Sequence, residues 1–427
     1  MSDSDSPTVP RRAALAFIFV TVVLDMLALG IIVPVLPKLV LDFEGGDSAS
    51  AAAIFGVFST AFAAMQFLFS PLLGALSDRF GRRPVVLISN LGLGLDYVVM
   101  ALAPSVGWLF AGRIISGICA ATFSTAGAYI ADVTPVDRRA ASFGMLSAAF
   151  GLGFVIGPAV GGLLGSVDPR LPFWSAAGLS LANATYGFFI LPESLPPERR
   201  AGFQWQRANP VGAVLMLREH AQVLGIAGVV FLSAIAHEVQ PTMWVLYTDY
   251  RYRWDTRTVG LTLAVLGVCS AAVGGGLVRV VVSRLGERNS LLLGLLFGVA
   301  GFTVYGLAPI GVLFCAAIPL VSLWGLAGPA AQALMTRHVG PSEQGRLQGA
   351  VSGLQGVAFM IGPGLFTSAF AAAISKQAAW HLPGAPFFLA AVILAASFVV
   401  AWRVTKRQKP SAVHGTSFFG YASSSHE

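Results

Sequence analysis

About twelve mostly apolar stretches follow one another along this chain, each about the twenty residues that cross a roughly 30 Å hydrocarbon core as a helix. Their approximate limits are 13–35, 50–76, 84–103, 106–131, 139–165, 172–191, 221–247, 258–283, 289–308, 311–337, 345–374 and 384–404. Lipid offers no partner for a bare backbone N–H or C=O, so each stretch must close its own hydrogen bonds as an α-helix. An all-α membrane protein of twelve transmembrane helices is therefore expected. The composition agrees: the 427 residues are 56% hydrophobic and 11% charged, against about 25% charged in a soluble domain. Such a chain in water would expose large apolar patches, so the lipid bilayer is its expected surrounding.

The charges lie in the loops. Arg79, Arg82 and Arg83 follow span two; Arg138 and Arg139 follow span four; Arg199, Arg200 and Arg207 follow span six. Arg284 and Arg288 follow span eight, Arg337 and Arg346 flank the loop after span ten, and Lys406, Arg407 and Lys409 follow the last. The other loops are poorer in Lys and Arg, with Arg251, Arg253 and Arg257 the main exception. Positive residues stay on the cytoplasmic side, which places both termini there. The net charge of +7 is spread over short loops, not gathered on one face as nucleic-acid binding requires, so no nucleic-acid partner is expected.

Five parts are read along the chain: a cytoplasmic segment 1–12, a six-helix bundle 13–191, a cytoplasmic linker 192–220, a second six-helix bundle 221–404 and a flexible tail 405–427. Pro192 to Asn209 is the longest polar interruption between spans. No cleavable signal is expected, because a polar, acidic start precedes a full-length span. An internal repeat supports the two bundles. The trio Gly81, Arg82, Arg83 recurs as Gly286, Glu287, Arg288, and the run Ser147–Pro158 recurs as Ser352–Pro363, both at an offset of 205 residues by subtraction. Two matches at one offset point to parallel repeats around a site at their interface, which suits alternating access.

Within the spans, ionisable residues are few. Asp25, Asp96, Arg113 and the pair His237–Glu238 lie in spans one, three, four and seven. A charge at membrane depth is costly, and it faces a cavity or a partner. Asp25 and Asp96 lie about twelve residues from the cytoplasmic ends of their spans, hence about 18 Å deep. That is near the midplane, where a carboxyl group can carry a proton. The alternative role for each is a helix-to-helix contact. We assign proton coupling to Asp25, Asp96, Glu238, His237 and Arg113, with Asp25 the main carrier and His237 tuning Glu238. In span five, Gly153, Gly157 and Gly161 lie four apart around Pro158. Small residues at that spacing let another helix approach, and proline removes a backbone donor; either a hinge or ordinary tight packing satisfies this pattern. Polar and aromatic side chains inside the spans are candidates for an amphiphilic substrate pocket: Gln66, Asn90, Tyr97, Asn183, Gln240, Trp244, Gln332 and Gln355.

The loop from Gly74 to Pro84 packs an acid, three arginines and turn-forming glycines between two spans. Gly74, Asp78, Arg79, Gly81, Arg82 and Arg83 can grip neighbouring helix ends, and Asp78 is expected near the cytoplasmic end of span eleven, pairing with arginine of its own half. Enzyme constellations are not found. There is no phosphate-binding Gly-rich loop with Lys and Ser/Thr, no zinc spacing among His and Cys and no Gly-x-Ser-x-Gly elbow, so no enzyme activity, cofactor or metal is expected. The three cysteines, Cys119, Cys269 and Cys315, lie in apolar stretches and read as small hydrophobic side chains.

These stretches together give a resemblance. With the Gly74–Pro84 loop go Leu24–Gly30, Pro34–Pro37, Asp96–Tyr97, Gly112–Gly117, Gly127–Asp132, Gly157–Pro158, Leu191–Ser194 and Arg284–Arg288. From span one to span twelve the chain resembles the major facilitator superfamily, and within it the drug/proton antiporters of the tetracycline-efflux type. The resemblance implies the twelve-helix major facilitator fold, a conformational latch at Asp78, Arg79, Arg82 and Arg83, transport charges at Asp25, Asp96 and Arg113, and an antiporter motif at Gly157–Pro158. It departs in the second half. Exporters of that type carry an acid in span nine where Gly298 stands, and a histidine in span eight where Cys269 or Ser270 stands. The expectation is a monomeric, proton-driven exporter of small amphiphilic compounds or drugs, tetracycline-like ones among them, in a bacterial inner membrane. A proton-linked importer or lipid or metabolite carrier on the same fold is the alternative, and a non-transporting scaffold or receptor is the alternative of another class.

Overall fold

The computed structural model describes residues 11–120, 122–135, 138–200, 221–340, 343–375, 378 and 381–406. The expected start segment through residue 10, the linker from 201 to 220 and the tail beyond 406 lie outside the described residues. The described chain is helical: α1 (Arg11–Ile32), α2 (Leu36–Phe43), α3 (Ser48–Phe80), α4 (Arg82–Ala101), α5 (Val106–Cys119), α6 (Thr122–Val133), α7 (Arg139–Gly165) and α8 (Leu171–Ile190). After the linker come α9 (Ala221–His237), α10 (Val239–Tyr252), α11 (Thr256–Ala272), α12 (Val278–Leu307), α13 (Gly311–Ala316), α14 (Ile318–Ser322), α15 (Ala327–Thr336), α16 (Gln344–Ile374) and α17 (Ala385–Lys406).

Nine helical stretches among the described residues are long and apolar enough to cross a membrane. One of them, Thr256–Leu307, runs 52 residues, twice what a bilayer needs. It divides at Gly286, whose φ is 76°, so it holds spans eight and nine. α5 with α6 forms span four, and α8 forms span six. Span one pauses at 33–35, where Pro34 lacks a donor, and resumes as α2. Span seven is longer than expected and turns at Glu238 between α9 and α10. Large side chains on the outer surface are apolar, as lipid requires: Ile88 is 69% exposed, Phe189 76% and Val312 74%.

Helices up to residue 190 pack mainly on one another, α1 on α7 and α8, α4 on α8 and α3 on α5. Those after 221 do likewise, α12 and α9 on α17 and α9 on α16. The two groups meet chiefly along two antiparallel pairs, α3 with α16 and α7 with α11. Both pairs behave as zips closed at one end. A methyl group built on Gly162 would lie 2.9 Å from the Gly260 Cα, and one on Gly267 would lie 2.7 Å from Val155. Gly56 faces Thr367, Gly364 faces Thr60 and Gly356 faces Phe67. Towards the Asp78 loop the same helices part: a methyl group on Gly74, Gly144, Gly151, Gly274, Gly275 or Gly345 meets nothing within 4 Å. The space between the groups thus opens towards the Asp78–Arg83 loop and is shut at the opposite end.

Candidate functional site

At the shut end, Lys38 of α2 reaches across to α10. Its Nζ donates to Asp249 Oδ1 at 2.9 Å and to the Trp254 carbonyl at 3.1 Å. Trp254 belongs to a block of rings, including Tyr247, Tyr252, Tyr305, Phe314 and Phe387. Tyr247 and Tyr252 also donate to the carbonyls of Tyr305 and Ala308. The ammonium is therefore seated on a stiff support. Beside it, Asp255 caps α11 by accepting from the Thr258 amide at 2.9 Å. Hydrogen bonds from the Thr258 hydroxyl and amide hold the Asp255 carboxyl below its ordinary range.

In the middle lies a cavity of about 510 Å³, lined by α1, α3, α4, α7 and α16 with Asp25, Phe62, Gln66, Tyr97, Phe154 and Phe359 among its walls. Asp25 is 5% exposed and is the one carboxylate on this lining. Phe359 also borders a second cavity of about 330 Å³, with His237, Ser233, Trp324 and Gln355. Phe154 and Phe359 occupy equivalent places in the two repeats, 205 residues apart by subtraction.

Asp96 does not line either cavity. It is buried and accepts from the Ser116 hydroxyl, while its Oδ1 has no hydrogen-bond partner among the described residues. Arg113 lays its guanidinium over the Phe62 ring, 4.0 Å from the centroid. Arg113 and Asp96 interact through their charges, without an ion pair at contact distance among the described residues. Glu238 packs against Gly362 of α16 and lies 3.7 Å from His237 Nδ1. The acid itself borders neither cavity; its histidine neighbour does.

Of the eight pocket candidates, Gln66, Tyr97 and Gln355 line the cavities, and the other five do not. Asn183 donates to the Thr21 carbonyl at 2.9 Å and ties α8 to α1. Trp244 is fully buried in the ring block and donates to Thr262 at 3.2 Å. Both side-chain amide atoms of Asn90 and the Nε2 atoms of Gln240 and Gln332 are buried without a hydrogen-bond partner among the described residues. Asn183 and Trp244 serve helix neighbours, a use that a polar side chain in a span finds as readily as a cavity. The phenylalanines in the wall of the central cavity, Phe62, Phe150, Phe154 and Phe359, were missed, because an apolar ring in an apolar stretch carries no signal of its own. Their place in the repeated run from Ser147 and Ser352 was the available hint.

On α7, Gly153, Gly157 and Gly161 all face α1. A methyl group on Gly157 would sit 2.6 Å from the Gly30 Cα, one on Gly153 2.7 Å from the Met26 carbonyl carbon, and one on Gly161 2.8 Å from the Ile31 Cα. Pro158 lies inside an unbroken α7. The other face of α7, at Gly162, meets α11.

The loop after span two is held by three carboxylates. Arg82 pairs with Asp78 at 2.6 Å and with Asp132 at 3.1 Å. Glu193 accepts from the amides of Arg82 at 2.8 Å and Arg83 at 3.3 Å, so an acid satisfies the open N-terminus of α4. Ser194 donates to Asp132, Arg83 donates to the Phe188 carbonyl and Arg79 stands over Phe80. Asp78 pairs within its own group of helices, as expected. Its side chain is half exposed, and the start of α16 stands apart from this end of α3. Asp132 and Glu193 had no role assigned from the sequence, although both lie in the stretches that carried the resemblance.

Comparison with known proteins agrees with this geometry. The family model described as Major Facilitator Superfamily matches residues 18–363 and 226–422. The chain is similar to the tetracycline resistance protein, class C, of Escherichia coli, with 39% identity over 378 residues covering 88% of this chain and 94% of that protein. It is 35% identical to the class D protein of Salmonella ordonez, covering 82% and 88%. Among solved structures, it is similar to a bacterial homolog of the human lysosomal transporter Spinster in an inward-facing, unoccupied conformation. There the TM-score is 0.75 at 16% identity, covering 95% of this chain and all of that one.

Proposed function

This chain belongs to the Major Facilitator Superfamily, and from that premise we propose that it is a proton-driven exporter of small amphiphilic compounds or drugs. The observation that carries the reading is the Asp25 cavity, sealed at the Lys38–Asp249 end and open at the Asp78 end. A site reachable from one side at a time is what alternating access needs. The relatives named for tetracycline resistance support export as the direction and make tetracycline-like compounds candidate cargo.

In this proposal two six-helix units, 13–191 and 221–404, rock about the central site, joined through 192–220. Both termini face the cytoplasm of a bacterial inner membrane, the protein works as a monomer, and no bond of the cargo is changed. The loop end is then cytoplasmic, and the described state is open inwards. Asp25 gives its proton to the cytoplasm while cargo enters. The latch at Gly74, Asp78, Arg79, Gly81, Arg82 and Arg83 then closes the loop end, the Lys38–Asp249 end opens, and Asp25 regains a proton as cargo leaves. Asp96 and Arg113 set the charge around it, and Glu238 with His237 contributes from the second unit.

Everted vesicles test this. Added drug should draw protons out of an acidified lumen, and Asp25→Asn should lose that movement while Asp78→Asn slows turnover with folding intact. Cargo moved only outwards along the proton gradient, or no flux at all, would favour the importer or the scaffold instead.

A further inference from the structure

We propose that the second cavity, of about 330 Å³, recognises an uncharged aromatic ring bearing a hydroxyl group, and that His237 and Gln355 read that hydroxyl. The inference rests on the exporter reading and names a cargo class for it. Two independent observations carry it: the cavity has a counterpart in the first half, and its lining has changed chemistry relative to that counterpart.

The two cavities are repeat-mates. Gly157 of α7 lies against Gly30 of α1, and Gly362 of α16 lies against Glu238. Gly157 and Gly362 stand 205 residues apart and Gly30 and Glu238 stand 208 apart, by subtraction. Spans one and seven therefore match at 208. At that offset Asp25, Met26 and Leu29 answer to Ser233, Ala234 and His237, and each of the six borders a cavity. At 205, Ala120, Phe150 and Phe154 answer to Gly325, Gln355 and Phe359, which also border the cavities. The fold thus places the second cavity where the repeat requires one, and sequence alone sets what it can hold.

The lining differs at four places. Ser233 stands where the first half has its acid, and its hydroxyl lies 3.5 Å from that of Ser397. His237 replaces a leucine, Gln355 replaces Phe150, and Trp324 stands at the place of Cys119. The imidazole and the carboxamide both border the cavity, and neither hydrogen-bonds another described residue. Both can accept a hydroxyl proton, and the carboxamide can also donate to the hydroxyl oxygen. The Trp324 ring lies 5.9 Å from the imidazole at a 42° tilt, and Phe359 adds a second ring to the wall.

The same lining excludes ions. It holds no Asp, Glu, Lys or Arg, so a bare charge entering it loses water without gaining a countercharge. Glu238, 3.7 Å from His237 Nδ1, is set against an anion. The volume is at the lower end of ligand pockets and suits one or two fused rings. A site with hydrogen-bonding groups waiting for a hydroxyl discriminates against the analogue that lacks it.

The experiment uses full-length protein in nanodiscs with 7-hydroxycoumarin and 7-methoxycoumarin as probes, in mildly acidic buffer where the hydroxyl is uncharged. Two hydrogen bonds should give the wild type about a tenfold preference for the hydroxyl compound. The first half supplies the variants. His237→Leu and Gln355→Phe restore its side chains, and each should cut the preference to about threefold. The double variant should bring it close to one. His237→Gln keeps an acceptor and should recover most of it. Trp324→Ala should weaken both coumarins about threefold to tenfold. The ratio carries the test, because a merely structural loss moves both probes together. A wild-type ratio near one overturns the proposal without any variant, and so does an unchanged ratio in either His237→Leu or Gln355→Phe, whichever folds. Everted vesicles then separate the two readings. Proton-coupled efflux of both coumarins without hydroxyl-selective binding sinks the subsite and leaves the exporter standing; hydroxyl-selective binding without proton-coupled efflux of either sinks the exporter and leaves the subsite.

Discussion

Gly81 and Gly286 stand 205 residues apart by subtraction and hold one unusual backbone conformation, φ 105° with ψ 158° and φ 76° with ψ 165°. The residue after each glycine finds a countercharge on a later span, Arg82 on Asp132 at 3.1 Å and Glu287 on Arg337 at 2.6 Å. Positions 132 and 337 share the same offset. The two turns are built alike, with the polarity of the ion pair reversed.

Reversed polarity makes a charge swap informative. Glu287→Arg sets two guanidinium groups against each other and should cut efflux, as should Arg337→Asp. The double variant restores an attractive pair in the first-half polarity and should recover most of the rate. Efflux per folded molecule in everted vesicles decides it: a double variant as slow as the singles would mean the pair is not what holds the turn.

The glycines should differ in tolerance. A positive φ costs a non-glycine residue about 1–3 kcal/mol, so Gly286→Ala should lower stability by about that much, since its added methyl meets open space. Gly81→Ala adds a collision with the Glu193 carboxylate that caps α4, and should lose more. Thermal melting in detergent measures both. Equal losses would show that Glu193 moves aside freely.

Gly157 lies against backbone, not against a side chain that can swing away. Gly157→Leu is expected to retain some cargo binding and to lose turnover by at least tenfold. Gly178→Ala, where the added methyl meets nothing within 4 Å, should stay within about 0.5 kcal/mol of the parent. Wild-type turnover in Gly157→Leu would reduce the α1–α7 contact to plain packing.

Lys38→Gln removes the ion pair at the shut end. A partly exposed pair contributes about 1 kcal/mol, so the population open at that end should rise roughly fivefold. Distances between spin labels placed on α2 and α10 report it. Lys38→Asp with Asp249→Lys should return the distribution towards the parent; no change in Lys38→Gln would exclude the pair as a gate.

Asp255→Ala tests a cap whose charge matters. At neutral pH the loss should be about 1 kcal/mol. The Asp255 carboxyl is held below its ordinary range by Thr258, so its contribution is present above the unfolded value of about 3.9 and fades as acid protonates the folded form. Melting temperatures of variant and parent should converge below that point. A constant gap down to pH 3 would assign the loss to packing.

The sequence by itself determined that this chain is a bundle of membrane helices, where most of them begin and end, and that its halves repeat. Those properties follow from runs of apolar residues long enough for a bilayer and from loop residues with fixed backbone or charge demands, all of them local. Asp25 and Gly81 were legible for the same reason: a lone acid in a span, or a glycine between arginines, is costly unless it has a purpose. Only the tertiary structure decided which polar residues reach the central cavity. Asn183 and Gln66 look alike in sequence, yet one ties α8 to α1 and the other faces the cavity, because facing depends on which neighbours surround a helix. The wall of Phe62, Phe154 and Phe359 and the Lys38–Asp249 bridge are likewise relations between helices distant in the chain, and no single stretch encodes them.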